Sequence, residues 1–260
     1  MTLTLCGRGV EAVLVDYGNT LMTVSRPDAE LQSAYERIAA HLRSEGINSP
    51  PAAVLLRDVH DRVENAFIAH QRSGALEEMD LVAAVTRAYS DLGIRVKPAL
   101  LDELQSIEQE AWWQGVHIEA EAIPTLQGLH ALGVRVGLCS NAPYRVRSLL
   151  DQLAYVGLLE HLDSVTFSAE VGWRKPSPRI FEAALRALGS DAASTVMVGD
   201  SVRDDIDGAQ RAGIRSVWYR AHTGPDSSRS HVLPDAVIDR LSALIPLLQG
   251  SAELSAARQE

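Results

Sequence analysis

Glu11-Ala12-Val13-Leu14-Val15-Asp16-Tyr17-Gly18-Asn19-Thr20-Leu21 is the stretch on which the fold turns. Its apolar run stops at a carboxylate and passes into a polar turn containing glycine. A strand that is apolar on both faces belongs at the centre of a parallel sheet, where helices cover both sides. A buried strand over Glu11 to Asp16 is therefore predicted. From Ile123 onward the sequence alternates strictly: helix to Leu132, strand Val134 to Cys139, helix Tyr144 to Leu153, strand Ser164 to Ser168 and helix Pro178 to Leu188. Strand Thr195 to Val198, helix Asp204 to Ala212, strand Arg215 to Tyr219 and a last amphipathic helix from about Ile238 to Leu248 complete it. Such alternation predicts an α/β fold with right-handed crossovers and a parallel sheet. Ligands of these sheets bind beyond the carboxyl ends of the strands.

Between the first strand and this alternating region the pattern is helical. Asp28 to Glu45 starts on an N-capping residue type and stops at Gly46, and Ser49-Pro50-Pro51 opens a second helix towards Gly74. Two more run from about Glu77 to Leu92 and from Pro98 to Trp113, separated by Gly93. The expected organisation is a core of residues 8–21 plus 120–249, a four-helix insert at 22–119 and a flexible tail at 250–260. His222 to Pro234, rich in Gly, Ser, His and Pro, reads as a surface loop.

With 260 residues, 46% hydrophobic and 22% charged, the chain has the composition of an ordinary globular protein. Its formal charge of −10 argues against a nucleic-acid or membrane-surface binder, which needs a positive field. Local donors and a bound cation can still hold an anionic substrate. Cys6 and Cys139 are too few for a disulfide framework, and Cys139 falls in a predicted central strand, where a small apolar residue packs well. No run approaches the length of a membrane span, so a reduced cytoplasmic setting is the expectation.

Four segments at predicted strand ends carry groups suited to chemistry. Asp16, a carboxylate before a turn, can attack a phosphorus atom, although a lone Asp there usually caps the turn. Ser140 and Asn141 follow a core strand and offer hydroxyl and amide donors to developing charge; on their own they are an ordinary helix start. Lys175, in Gly172-Trp173-Arg174-Lys175-Pro176-Ser177-Pro178-Arg179-Ile180-Phe181, is a cation that could offset carboxylate against phosphate. Gly199-Asp200-Ser201-Val202-Arg203-Asp204-Asp205 supplies hard oxygen ligands of the kind magnesium takes. Acidic residues at a helix start also have a purely electrostatic reason to be there.

In order and spacing these segments resemble the haloacid dehalogenase superfamily, whose members are mostly magnesium-dependent phosphatases. The resemblance implies a Rossmann-like core interrupted by a helical-bundle cap of the C1 type. It implies Asp16 as nucleophile with Ser140 and Lys175 as further catalytic residues, and Ser140, Asn141 and Lys175 against the substrate. Mg2+ would be held by Asp16, the Gly18 carbonyl, Asp200 and Asp205, with Asp204 as the alternative to Asp205. Thr20 matches a family threonine whose hydroxyl supports the loop, and Asn19 replaces a glycine, which suits its tolerance of left-handed backbone. The implied partner is a small phosphorylated molecule, and the chain is expected to be a monomer or homodimer.

One position departs from the phosphatase pattern. Where such enzymes carry a second aspartate for acid–base work, this chain has Gly18, which keeps the carbonyl and loses the proton carrier; turn flexibility alone would also explain a glycine. The resembling alternatives are a 2-haloacid dehalogenase, which works without metal, a phosphonate-cleaving hydrolase, or a catalytically reduced phosphate-binding or regulatory protein. In the insert, Arg57, His60, Arg62, His70 and His117 are candidates for reaching a substrate, or a histidine among them for replacing the lost acid–base group. Helical spacing equally puts them on a solvated face. Trp112 and Trp113 read as packing or hinge residues.

Overall fold

The structure, a computed structural model, describes residues 3–222 and 232–250. Residues 223–231 of the expected loop and the expected tail from Ser251 lie outside the described residues. Six strands form a parallel sheet: β1 (Ala12–Val15), β2 (Arg135–Ser140), β3 (Ser164–Phe167), β4 (Thr195–Gly199), β5 (Arg215–Tyr219) and β6 (Ala236–Ile238). Their spatial order is β6-β5-β4-β1-β2-β3. This is the predicted α/β architecture. Val13 lies between Val136 and Val196, and Val15 between Leu138 and Val198, so the apolar run that announced β1 is sealed on both edges by apolar neighbours.

Strand order places the chemistry. The chain leaves β1 for β2 and β3 on one side, then returns to lay β4 against the other flank of β1 before continuing to β5 and β6. Connections on either side of β1 and β4 diverge, which opens a crevice beyond their carboxyl ends. Asp16 follows β1 directly, and Asp200 follows β4.

Helix Pro178–Leu188 shows why local signals set its limits. Ser177 caps it by accepting from the Arg179 amide, Pro178 occupies the first turn, and Gly189 ends it with φ 64°. Ile180, Phe181, Ala184 and Leu188 then line one face and pack with Ala12, Leu14, Cys139 and Met197 of the central strands.

Two elements differ from expectation. The stretch from Ile238 was expected to be helical, but Ala236–Ile238 pairs with Val217–Tyr219 as the edge strand β6, and the helix is only Leu244–Leu248. Three residues are too few for a strand period to show against the apolar helix that follows. The expected helix from Asp204 begins instead as a π-turn at Val202–Asp207 and becomes α-helical only at Gly208–Arg211.

Chain contacts divide the protein into two compact units. One takes in the residues up to Val24, His117–Ala142 and the chain from Val156 onward; the other is Ser25–Val116 with Pro143–Tyr155. The second unit holds helices Asp28–Ser44, Arg62–Ser73, Leu81–Asp91 and Pro98–Ala111, with Ala52–Leu55 and a π-turn at Leu56–Asp61 leading into Arg62–Ser73. Tyr35, Ile38, Leu42, Leu55, Val59, Val85, Tyr89 and Leu104 form its core. Gly74 and Gly93 adopt left-handed backbone at the helix ends where stops were predicted. Asp28 is the first helical residue rather than the cap, and its carboxylate accepts from Arg26 at 2.8 Å. Helix Val146–Tyr155, expected as a crossover at Tyr144 to Leu153, belongs to this second unit. No helix among the described residues is long and apolar enough to cross a membrane.

Candidate active site

Asp16 is buried, and its amide donates to Val198 O at 2.9 Å, so pairing with β4 extends to the residue that carries the carboxylate. The loop behind it closes on its own main chain: Asn19 N donates to Met22 O at 2.6 Å, while Leu21 N and Met22 N donate to Tyr17 O at 3.0 and 3.1 Å. Asn19 has φ 55°, the left-handed conformation expected for this substitute of glycine. Thr20 is fully buried, yet its hydroxyl has no hydrogen-bond partner among the described residues, so main-chain bonds hold the loop. Gly18 does not need to be glycine. It has no positive φ, and a Cβ built there meets nothing within 4 Å.

Lys175 binds the site together. Its side chain is 2% exposed, and Nζ donates to Asp16 Oδ1 at 2.6 Å, Asp205 Oδ1 at 2.5 Å and the Cys139 carbonyl at 2.9 Å. These three acceptors use all three ammonium donors. Burial alone would lower its pKa, but the charges of Asp16 and Asp205 outweigh that and raise it, so the ammonium persists. Cys139 contributes its carbonyl only, since burial pushes its thiol up to about 12 and removes thiolate reactivity. Ser140, buried at the end of β2, is the next residue.

The acidic turn follows β4. Ser201 Oγ accepts from Asp204 N at 3.1 Å, and Ser201 O accepts from both Asp205 N and Ile206 N, at 2.8 and 3.2 Å. That shared carbonyl makes the turn a π-turn, a geometry often found at functional sites. Asp205 turns back under it: Oδ2 accepts from Ser201 N at 2.9 Å while Oδ1 takes Lys175. Gly199 makes this possible, because a Cβ there would stand 2.3 Å from the Asp205 carboxylate. Gly199→Ala is therefore expected to lower the unfolding free energy by about 1–3 kcal/mol. Urea denaturation checks this; unchanged stability would mean that Asp205 can move aside without loss.

Oxygen atoms of Asp16, Asp200 and Asp205 all lie within 4.8 Å of one another. Burial, and then the charge of Asp16, push the Asp200 carboxyl up to about 6. One ammonium thus serves three grouped carboxyl groups, bonding Asp16 and Asp205 and leaving Asp200 without a lysine partner. A compact group of hard oxygen donors with unbalanced charge fits a small divalent cation such as Mg2+. Asp204 stands outside this group, with Oδ2 3.5 Å from Asn141 Nδ2. Trp218 Nε1 donates to Asp200 O at 3.0 Å and fixes the main chain there.

Candidates in the helical insert are committed elsewhere. Arg57 pairs with Asp58 at 2.6 Å, Arg62 with Asp91 at 2.5 Å, and His70 Nε2 lies 2.8 Å from Glu77 O. His60 departs from the solvated-face expectation: it is buried, bonds Glu108 Oε1 through Nδ1 at 2.7 Å, and stacks near Tyr35 and Trp112. Trp113 packs on Tyr155 with ring centroids 5.2 Å apart. His117 belongs to the unit containing the sheet. Two features were not anticipated from sequence, namely the need for Gly199 and the use made of the Asn141 side chain. Asn141 Oδ1 accepts from Lys175 N at 2.7 Å, and Nδ2 donates to Lys175 O at 3.1 Å. A glycine immediately before the acidic turn was the one available signal for the first.

The family model described as haloacid dehalogenase-like hydrolase matches residues 10–213. Haloacid dehalogenase-like hydrolase domain-containing protein 3 of Bos taurus is 31% identical over 169 residues, covering 63% of this chain and 65% of that protein, less than two thirds of its length. Glyceraldehyde 3-phosphate phosphatase of Methanopyrus kandleri is 28% identical over 256 residues, 94% of this chain and 99% of that one. The solved structure of 2-haloacid dehalogenase from Pseudomonas syringae pv. Tomato DC3000 has a TM-score of 0.62 and 27% identity, covering 94% of this chain and all of that one, at 100%. Since the family match runs from the start of the β1 segment past the acidic turn, this chain belongs to the haloacid dehalogenase-like hydrolases.

Proposed function

We propose that the chain is a magnesium-dependent phosphoric monoester hydrolase that acts on a small phosphorylated metabolite through an aspartyl-phosphate at Asp16. The observation that carries this reading is the Asp16 carboxylate itself, tethered through Oδ1 to a buried ammonium and grouped with Asp200 and Asp205. Similarity to a glyceraldehyde 3-phosphate phosphatase supports a phosphate ester as the substrate class.

Asp16 Oδ2, the oxygen not bonded to Lys175, attacks phosphorus; a new O–P bond forms while the bond to the leaving oxygen breaks. Lys175 holds the carboxylate in one orientation and offsets its repulsion with the incoming phosphoryl group. Ser140 donates to a phosphoryl oxygen. Asp16, the Gly18 carbonyl, Asp200 and Asp205 would hold Mg2+, which would supply positive charge against the phosphoryl oxygens. With glycine at position 18 the leaving oxygen takes its proton from water, and water then cleaves the acyl phosphate without a side-chain base there. Turnover is accordingly slow, or restricted to esters whose leaving group departs readily.

Dehalogenation of a 2-haloacid is the second reading, favoured by Gly18 and by similarity to the Pseudomonas dehalogenase. The excess of carboxylates around Asp200 weighs against a metal-free site. A panel of small phosphate monoesters and 2-haloacids tests both. Phosphate release that falls to background with a chelator and returns with Mg2+ is the expected result. Chloride release indifferent to the chelator would overturn it.

A further inference from the structure

We propose that Asn141 is a positioning residue for Lys175, its carboxamide clasping the lysine main chain on both sides so that the ammonium stays between Asp16 and Asp205. This rests on the hydrolase reading for its kinetic consequence, but the geometry stands without it. A side-chain amide offers one acceptor oxygen and two N–H donors. Here Oδ1 accepts from Lys175 N at 2.7 Å and one Nδ2 donor goes to Lys175 O at 3.1 Å. Nδ2 also lies a marginal 3.5 Å from Asp204 Oδ2. The side chain is thus spent on one peptide segment, and the substrate contact implied for Asn141 falls to its main-chain amide.

Such a clamp has a physical purpose. Lys175 lies between strands, where no sheet or helix bond fixes its main chain, and its stem is long and flexible. All three acceptors of Nζ lie at 2.5 to 2.9 Å, so a main-chain shift of a few tenths of an ångström weakens every one of them. Asn141 is itself anchored. It follows the last residue of β2, and the next residue is held by Ala142 N donating to Ser168 Oγ at 2.7 Å and by Ala169 N donating to Ala142 O at 3.2 Å. Rigidity therefore passes from β2 and the end of β3 through one amide to the ammonium.

The sequence makes the test clean, because Lys97 and Lys175 are the chain's two lysines. Lys97 is exposed and Lys175 buried, so with 15N-labelled lysine only the Lys175 ammonium is shielded from rapid proton exchange. In Asn141→Ala that protected ammonium signal is expected to shift or vanish at constant pH. Turnover of p-nitrophenyl phosphate with Mg2+ is expected to show kcat lower by about 10²-fold, the scale of an ångström misplacement, with KM changed less than about twofold, as expected when ground-state binding is untouched. Should Asn141→Ala fail to fold, Asn141→Asp keeps the acceptor for Lys175 N, removes the donor to Lys175 O, and is read the same way. An unaltered ammonium signal, or a raised KM with kcat preserved, overturns the proposal. A wild type with no turnover counts against the hydrolase reading instead, and the ammonium signal then decides alone.

Discussion

Asp16→Asn is expected to abolish turnover of phosphate monoesters, lowering kcat by on the order of 10⁴ or more, the scale seen when a nucleophile is removed. The substitution is nearly isosteric and replaces the attacking carboxylate with an amide that cannot form the acyl phosphate. Its position at the end of β1 keeps the main-chain bond to Val198 O, so the sheet has no reason to change. The Lys175 ammonium loses one of two carboxylate partners but keeps Asp205 at 2.5 Å and the Cys139 carbonyl at 2.9 Å. Phosphate release under saturating substrate and Mg2+, with folding checked by circular dichroism, is the measurement. A folded Asp16→Asn protein retaining more than a tenth of wild-type kcat would remove Asp16 from the role of nucleophile.

Gly18→Asp is expected to act in the opposite direction and raise turnover by about 10²- to 10⁴-fold, the contribution of a positioned acid–base group. Three observations make the gain accessible. Backbone at position 18 is not left-handed, a Cβ there meets no atom within 4 Å, and the surrounding loop is pinned by main-chain bonds that do not involve the Gly18 side. The new carboxyl would join a region already rich in carboxylates, and like charge raises the pKa of an acid towards the range in which it can donate a proton. Leaving groups provide the control. Alkyl phosphates, whose leaving oxygen needs protonation, should gain far more than p-nitrophenyl phosphate, whose leaving group does not. An equal gain for both, or none, would mean that protonation of the leaving oxygen does not limit the wild type.

Legibility in the sequence followed the range of the physics. The apolar run at Val13-Leu14-Val15 and the alternation after Ile123, with its helix at Pro178 to Leu188, were readable because each signal is local: burial on both faces, or a repeat of helix and strand. The four motif segments were readable as residue types at predicted strand ends. β6 was not, because a three-residue strand exists only through its partner β5. The π-turn at Val202–Asp207 was also hidden, since it depends on the Ser201 carbonyl accepting from two successive amides.

By itself the sequence determined which chemical groups this hydrolase owns, and that they would collect where the sheet's strands end. Only the tertiary structure decided which of them touch. Lys175 meets Asp16 across 159 positions of chain and Asn141 across 34, and Gly199 is required because a carboxylate from the following turn occupies the space of its absent Cβ. Hydrogen bonds and steric contacts are set to tenths of an ångström by several packed elements at once, whereas hydrophobic periodicity reports on one element at a time.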